Sequence, residues 1–221
     1  MKVIDTFCEE QYEIDFTHHN RYHPAKFSDT ILDILVTILP KNETILDVCS
    51  GVGKLGHIKK RGWTGTIIGQ EIEHEWALQA CKNGVDIQYI ADATDNGNYQ
   101  AYKGIKILCT SVTYGNRLSD HHNAKDKSIR YTYKHCLGRD LHPNNTGMYR
   151  FLKKCRNTYG KYIELHQKIW QNIAGSDIKD IYLNCSNHLV RGEERDVTQW
   201  HINELSSHGF ALIEKLEVKT P

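Results

Sequence analysis

Residues 47–56 read Asp-Val-Cys-Ser-Gly-Val-Gly-Lys-Leu-Gly and continue the short apolar run that begins at Ile45. The spacing predicts a buried strand over Ile45–Cys49 and a tight turn through Gly51, Gly53 and Gly56. Glycines directly after a strand let backbone N–H groups and the next helix approach a ligand closely. That stretch decides the fold, because the chain on either side repeats the same rhythm. Upstream, Ser28–Leu39 carries apolar residues at 31, 32, 34, 35, 38 and 39, a helical stripe opened by a Ser/Asp cap and stopped by Pro40. Downstream, a helix is expected over Lys54–Lys60, ending at Gly62, then a β-branched strand over Thr64–Gln70.

A helix over Glu73–Lys82 closes at Asn83-Gly84, and strands follow at Ile87–Ala91 and Ile105–Thr110. After a long polar segment the pattern resumes with a helix at Tyr162–Ile173, a strand at Ile178–Cys185, a helix at Val197–Ser207 and a strand at Phe210–Val218. Residues 1–27 read as a polar arm. Strands alternating with helices imply an α/β fold with a doubly wound, mostly parallel sheet. The 221 residues suit one domain, 1–221, with one insertion.

Three acids mark the expected strand ends. Asp47 lies in the first, Glu71 closes the second 24 residues later, at the place of a ribose-binding acid, and Asp92 closes the third, within reach of an adenine edge. A phosphate-cradling Walker loop needs Gly-Lys-Ser/Thr, and Gly53-Lys54-Leu55 does not supply it. Gly51-Val52-Gly53-Lys54-Leu55-Gly56 does match the dinucleotide fingerprint literally, so NAD competes until the residues after the fourth strand are read.

Those residues, 107–117, are Ile-Leu-Cys-Thr-Ser-Val-Thr-Tyr-Gly-Asn-Arg. With them the chain as a whole resembles the class I S-adenosylmethionine-dependent methyltransferases, and among them the amino-methylating DNA methyltransferases of phage and prophage type. His23-Pro24-Ala25-Lys26-Phe27 is similar to their methionine-side motif, residues 47–56 to their cofactor loop, and Thr110-Ser111-Val112-Thr113-Tyr114 to their catalytic motif. The resemblance implies a Rossmann-like class I methyltransferase fold with S-adenosylmethionine as cofactor. It implies cofactor contacts from His23, Pro24 and Lys26, from Asp47, Cys49, Ser50, Gly51 and Gly53, and from Glu71, Ile72, Asp92, Ala93 and Thr110. Ser111 and Tyr114 become the catalytic candidates. An exocyclic amine is a poor nucleophile because its lone pair is delocalised into the ring. An acceptor at Ser111 can draw the amine hydrogens, while Tyr114 offers a face on which a flipped base stacks. Serine in the first catalytic position leans toward cytosine N4 over adenine N6. The family pattern has proline after that serine, and this chain has Val112, which frees φ from the ring constraint and is expected to reshape the loop. Cys109 lies inside a strand without a preceding proline and is no C5 nucleophile.

The net charge of +1 hides an asymmetry. Residues 115–161 hold eleven Lys/Arg against three acids, a net of +8 that leaves −7 for the rest. Tyr131, Tyr133, Tyr149, Phe151 and Tyr159 are interleaved with these cations. Cations that neutralise phosphates beside aromatics that stack on bases suit duplex DNA with a flipped base as partner. Asn116, Arg117, Arg130, Tyr131, Lys153, Lys154 and Arg156 are the candidate nucleic-acid contacts. A binding module without turnover, or methylation of RNA or protein, are the alternatives. The seven Cys are odd in number with no C-x-x-C, so neither zinc nor a disulfide framework is expected. No apolar leader core and no 18-residue apolar run occur, which predicts a cytoplasmic protein (host cytoplasm if phage-encoded) without a membrane partner.

Overall fold

A computed structural model describes residues 2–5, 27–112, 139, 141–145, 158–190 and 193–218. Its main sheet has six strands: β1 (Lys2–Asp5), β2 (Thr44–Asp47), β3 (Thr66–Glu71), β4 (Ile87–Ile90), β5 (Ile107–Ser111) and β6 (Asp180–Asn184). They lie in the order β1-β4-β3-β2-β5-β6, parallel throughout except for β1. This is the expected doubly wound, Rossmann-like arrangement, and the winding reverses between β2 and β5. In such sheets the cleft beyond the carboxyl ends at the reversal is where ligands bind.

The period of two in the strands sorts the core into two layers. Ile45 pairs in register with Ile67 and Ile107, and all three face one buried cluster. Their neighbours Leu46, Ile68 and Leu108, equally in register, face the other. On the first face lie helix α1 (Asp29–Ile38), a 3₁₀ helix over Lys54–Arg61 and Ala80 of helix α2 (His74–Lys82). Ser28 caps α1 by accepting from Ile31 N at 3.2 Å, as its Ser/Asp opening predicts. On the second face lie a 3₁₀ helix over Asn96–Tyr102, helix α3 (Thr158–Ala174) and helix α4 (Val197–Ser207). Fully buried Leu or Ile side chains of this kind contribute roughly 1.5–3 kcal/mol each. Trp170 Nε1 donates to His201 Nδ1 at 3.0 Å, so that nitrogen is unprotonated and Nε2–H faces Tyr162 Oη at 2.8 Å. This polar link fixes α3 on α4.

Four expectations are corrected. The start of the chain is not an arm throughout: Lys2–Asp5 pairs antiparallel with Ile87–Ile90 and covers the β4 edge. Lys54–Arg61 is a 3₁₀ helix, because it leaves a left-handed Gly53 with no side-chain cap and carries Gly56 in its first turn. Phe210–Val218 makes no ladder; Ile213 is 92% exposed, and alternation without a partner strand does not make a sheet. A hairpin of β7 (His188–Val190) and β8 (Glu193–Arg195) stands where the sequence suggests only a connection.

Candidate functional site

Asp47, at the end of β2, is 1% exposed. Its Oδ1 accepts from Thr110 Oγ1 of β5 at 2.7 Å and from Cys49 N at 3.2 Å. Burial outweighs these two donors and pushes its carboxyl up to about 7. Glu71, at the end of β3, accepts three backbone N–H groups: Gly51 on Oε2, and Ile72 and Glu73 on Oε1, each at 2.9 Å. Burial again dominates, with the Glu73 charge adding to it, and raises this carboxyl to about 7. Asp92, just past β4, holds Thr94 N and Thr94 Oγ1 on Oδ1, both at 2.8 Å. The three acids converge on Cys49, whose thiol is held well above its ordinary range by burial and then by these charges. Three strand ends therefore bring the predicted acids to one cleft.

The glycine turn is fastened to the sheet. Ser50 N and Oγ both donate to Gln70 O, at 3.0 and 3.1 Å, and Oγ lies 3.2 Å from Gln88 Oε1. Its glycines divide the labour. A Cβ on Gly53, which has φ +70°, would lie 2.6 Å from Ala80 Cα, and one on Gly56 would lie 2.3 Å from Asn83 O. These two serve close packing on α2. Gly51, with φ +53°, is the one whose N–H reaches Glu71. The dinucleotide fingerprint gains its affinity for pyrophosphate from an α-helix N-terminus. Here a 3₁₀ helix follows instead, Lys54 is drawn to Asp29 at 3.2 Å, and three carboxyls stand at the neighbouring strand ends. That setting disfavours a phosphate-bearing ligand.

Across the reversal point Ser111 closes β5 beside Asn184, which closes β6. Asn184 Nδ2 donates to Ser111 Oγ at 3.2 Å, and Val112 N donates to Asn184 O at 3.3 Å. Val112 is 3% exposed. Valine supplies a backbone donor that proline lacks and ties β5 to β6, while the loop expected to be reshaped, from residue 113 on, lies outside the described residues. Ile72 contributes its N–H to Glu71, whereas the Ala93 carbonyl is taken by Tyr99 Oη at 3.0 Å and Asn172 Nδ2 at 3.2 Å. His23, Pro24, Lys26, Tyr114, Asn116, Arg117, Arg130, Tyr131, Lys153, Lys154 and Arg156 lie outside the described residues.

Sequence reasoning missed Glu73 and Asn184, and with Glu73 the part of the basic segment that returns to this cleft. Glu73, 1% exposed, accepts from His142 N at 2.7 Å, Asn145 Nδ2 at 2.9 Å and Arg139 Nη2 at 2.9 Å. Arg139 also pairs with Glu75 through Nε at 2.8 Å. A Glu opening a helix reads as an ordinary first-turn acid, so its burial had no local signal. Among the described residues no group of His, Cys, Asp and Glu could hold a metal ion, and no helix is long and apolar enough to cross a membrane.

No family model matches the chain, and no curated protein matches it. Among solved structures, it is similar to a TehB-like SAM-dependent methyltransferase from Corynebacterium glutamicum ATCC 13032 Kitasato. That likeness has 11% identity and a TM-score of 0.41, over 80% of this chain and 71% of that one. It is also similar to the 16S rRNA methyltransferase KamB, at 13% identity and a TM-score of 0.40, over 86% of this chain and 78% of that one.

Proposed function

We propose that this protein transfers a methyl group from S-adenosylmethionine to an exocyclic amine of a DNA base, cytosine N4 ahead of adenine N6. The observation that carries the reading is one hydrogen bond and its neighbour in sequence. Thr110 binds Asp47 among the strand ends that carry the three acids, and the next residue, Ser111, carries a hydroxyl at the end of β5.

The residues suit an adenosine-bearing ligand without phosphates. Glu71 keeps one acceptor site, on Oε2, for a ribose hydroxyl on a carboxylate oriented by three N–H groups. Asp92 suits an amine, and Gly51 removes a side chain from the turn. When bound, S-adenosylmethionine supplies an electrophilic methyl group. Ser111 Oγ receives the Asn184 amide, and a hydroxyl oxygen held there suits an N–H of the target amine. Accepting that hydrogen localises the nitrogen lone pair. Tyr114, by the family resemblance, stacks on the base. Positioning of this kind dominates such a transfer, and no covalent enzyme intermediate is needed.

The deciding experiment incubates the protein and S-adenosylmethionine with unmethylated duplex DNA and, separately, with RNA, then measures methylated nucleosides by mass spectrometry. N4-methylcytosine or N6-methyladenine from DNA supports the reading. Product from RNA alone, or from neither, rejects DNA as substrate.

A further inference from the structure

The two oxygens of Asp92 have different neighbours. Oδ1 is occupied from within its own turn by Thr94 N and Oγ1. Oδ2, the oxygen left for a ligand, accepts from Asn144 Nδ2 at 2.7 Å, across 52 residues of sequence. A carboxamide N–H is the same kind of donor as the exocyclic amine of a purine. Asn144 is exposed, yet it is held at this spot from both sides. Its own N–H donates to His142 Nδ1 at 3.2 Å, and the flanking His142 N and Asn145 Nδ2 are anchored on buried Glu73. One side-chain rotation would break the Asp92 bond and leave that anchor intact.

We propose that Asn144 fills the nucleobase-amine position of the cleft in the ligand-free protein and is exchanged for the amine of the cofactor. Asn144 is thus a built-in competitor, carried by the basic segment into the cofactor cleft. The inference rests on the reading of Asp92 as the adenine acceptor. A ligand amine gains its bond to Asp92 only by giving up the one already there, so deleting the competitor strengthens binding.

The test is calorimetry of S-adenosylhomocysteine with the native protein and with Asn144→Ala, repeated with S-inosylhomocysteine, in which an oxygen replaces the amine. Asn144→Ala is expected to bind S-adenosylhomocysteine roughly tenfold tighter, the scale of one hydrogen bond to a charged group. S-inosylhomocysteine carries a carbonyl oxygen at C6 and keeps only its ring N1–H as a donor on that edge, so no amine is exchanged and the tenfold gain should not appear. Equal or weaker binding of S-adenosylhomocysteine by the variant overturns the proposal. An equal gain for both ligands also overturns it, since that would report a loosened segment. If the native protein binds neither ligand, the cofactor reading itself fails and the competitor with it; unequal failure of the variant alone leaves that reading standing.

Discussion

Thr110 Oγ1 donates to Asp47 Oδ1 at 2.7 Å, joining the ends of the two strands between which the sheet reverses its winding. Both side chains are buried, so neither can turn to water for a replacement. Thr110→Val keeps the shape and deletes the donor. It should lower stability by about 1–3 kcal/mol, the cost of leaving a buried polar group short of a partner. Thr110→Ser, which keeps the hydroxyl, should recover most of the loss in a urea titration. Equal midpoints for the native protein and Thr110→Val would show that the bond contributes nothing.

The two raised carboxyls set the pH response. Asp47 and Glu71 titrate at about 7 in the fold, whereas unfolded carboxyls titrate near 4. Between those values the folded chain holds protons that the unfolded chain has released. Stability of the ligand-free protein should therefore fall as pH rises from about 4 to about 7, by up to about 1.4 kcal/mol per pH unit per group, and then level off. Affinity for S-adenosylhomocysteine should move the opposite way, because ribose hydroxyls are accepted best by ionised Glu71. Denaturant titrations and calorimetry across this range check both slopes. A flat stability profile would show that these carboxyls are ionised in the fold throughout.

Val112→Pro would bring the chain closer to the family pattern, yet it should harm this protein. Proline removes the N–H that donates to Asn184 O and places a ring at a buried position. A loss of roughly 1–3 kcal/mol is expected from the unsatisfied carbonyl. Thermal unfolding reads it directly, and a rise in stability or in methylation would contradict the role given to Val112.

Ser111→Ala and Tyr114→Ala should each reduce nucleoside methylation strongly while S-adenosylhomocysteine affinity stays within a few-fold of native. Ser111 closes β5 and Tyr114 follows it three residues later in the sequence, and by the family resemblance the target base alone should meet them. A parallel loss of cofactor affinity would move them into the cofactor site.

The basic segment should reveal itself through salt. If four to six of its eleven cations meet phosphates, log K against log salt should have a slope of roughly −4 to −5, at about −0.9 per phosphate. Replacing Lys153, Lys154 and Arg156 with Ala should flatten the slope and weaken all DNA sequences alike, because phosphates carry no base identity. Arg130→Ala or Tyr131→Ala should instead change the ranking of sequences. A slope near zero would make the segment a solvated surface.

Much of this was legible in the sequence because it is written locally. The alternation of Ile45 and Leu46, repeated at Ile67–Ile68 and Ile107–Leu108, specified strands buried on both faces. The span of α4, Val197–Ser207, was read from the sequence as a helix, and the structure adds its cap, Asp196 accepting from Gln199 N at 2.9 Å. The acids at 47, 71 and 92 were visible because strand ends in a doubly wound sheet fall on one edge by construction. Tertiary structure alone decided what those acids touch. Four residues at the start of the chain became a strand by pairing with the β4 edge, while the apolar residues at 210–218 form no ladder. Glu73 became a buried anchor, Val112 a donor to Asn184, and Asn144 a partner of Asp92 across 52 residues. Such bonds leave no periodicity behind, because each is fixed by where the folded backbone carries two distant side chains and not by the residues beside them.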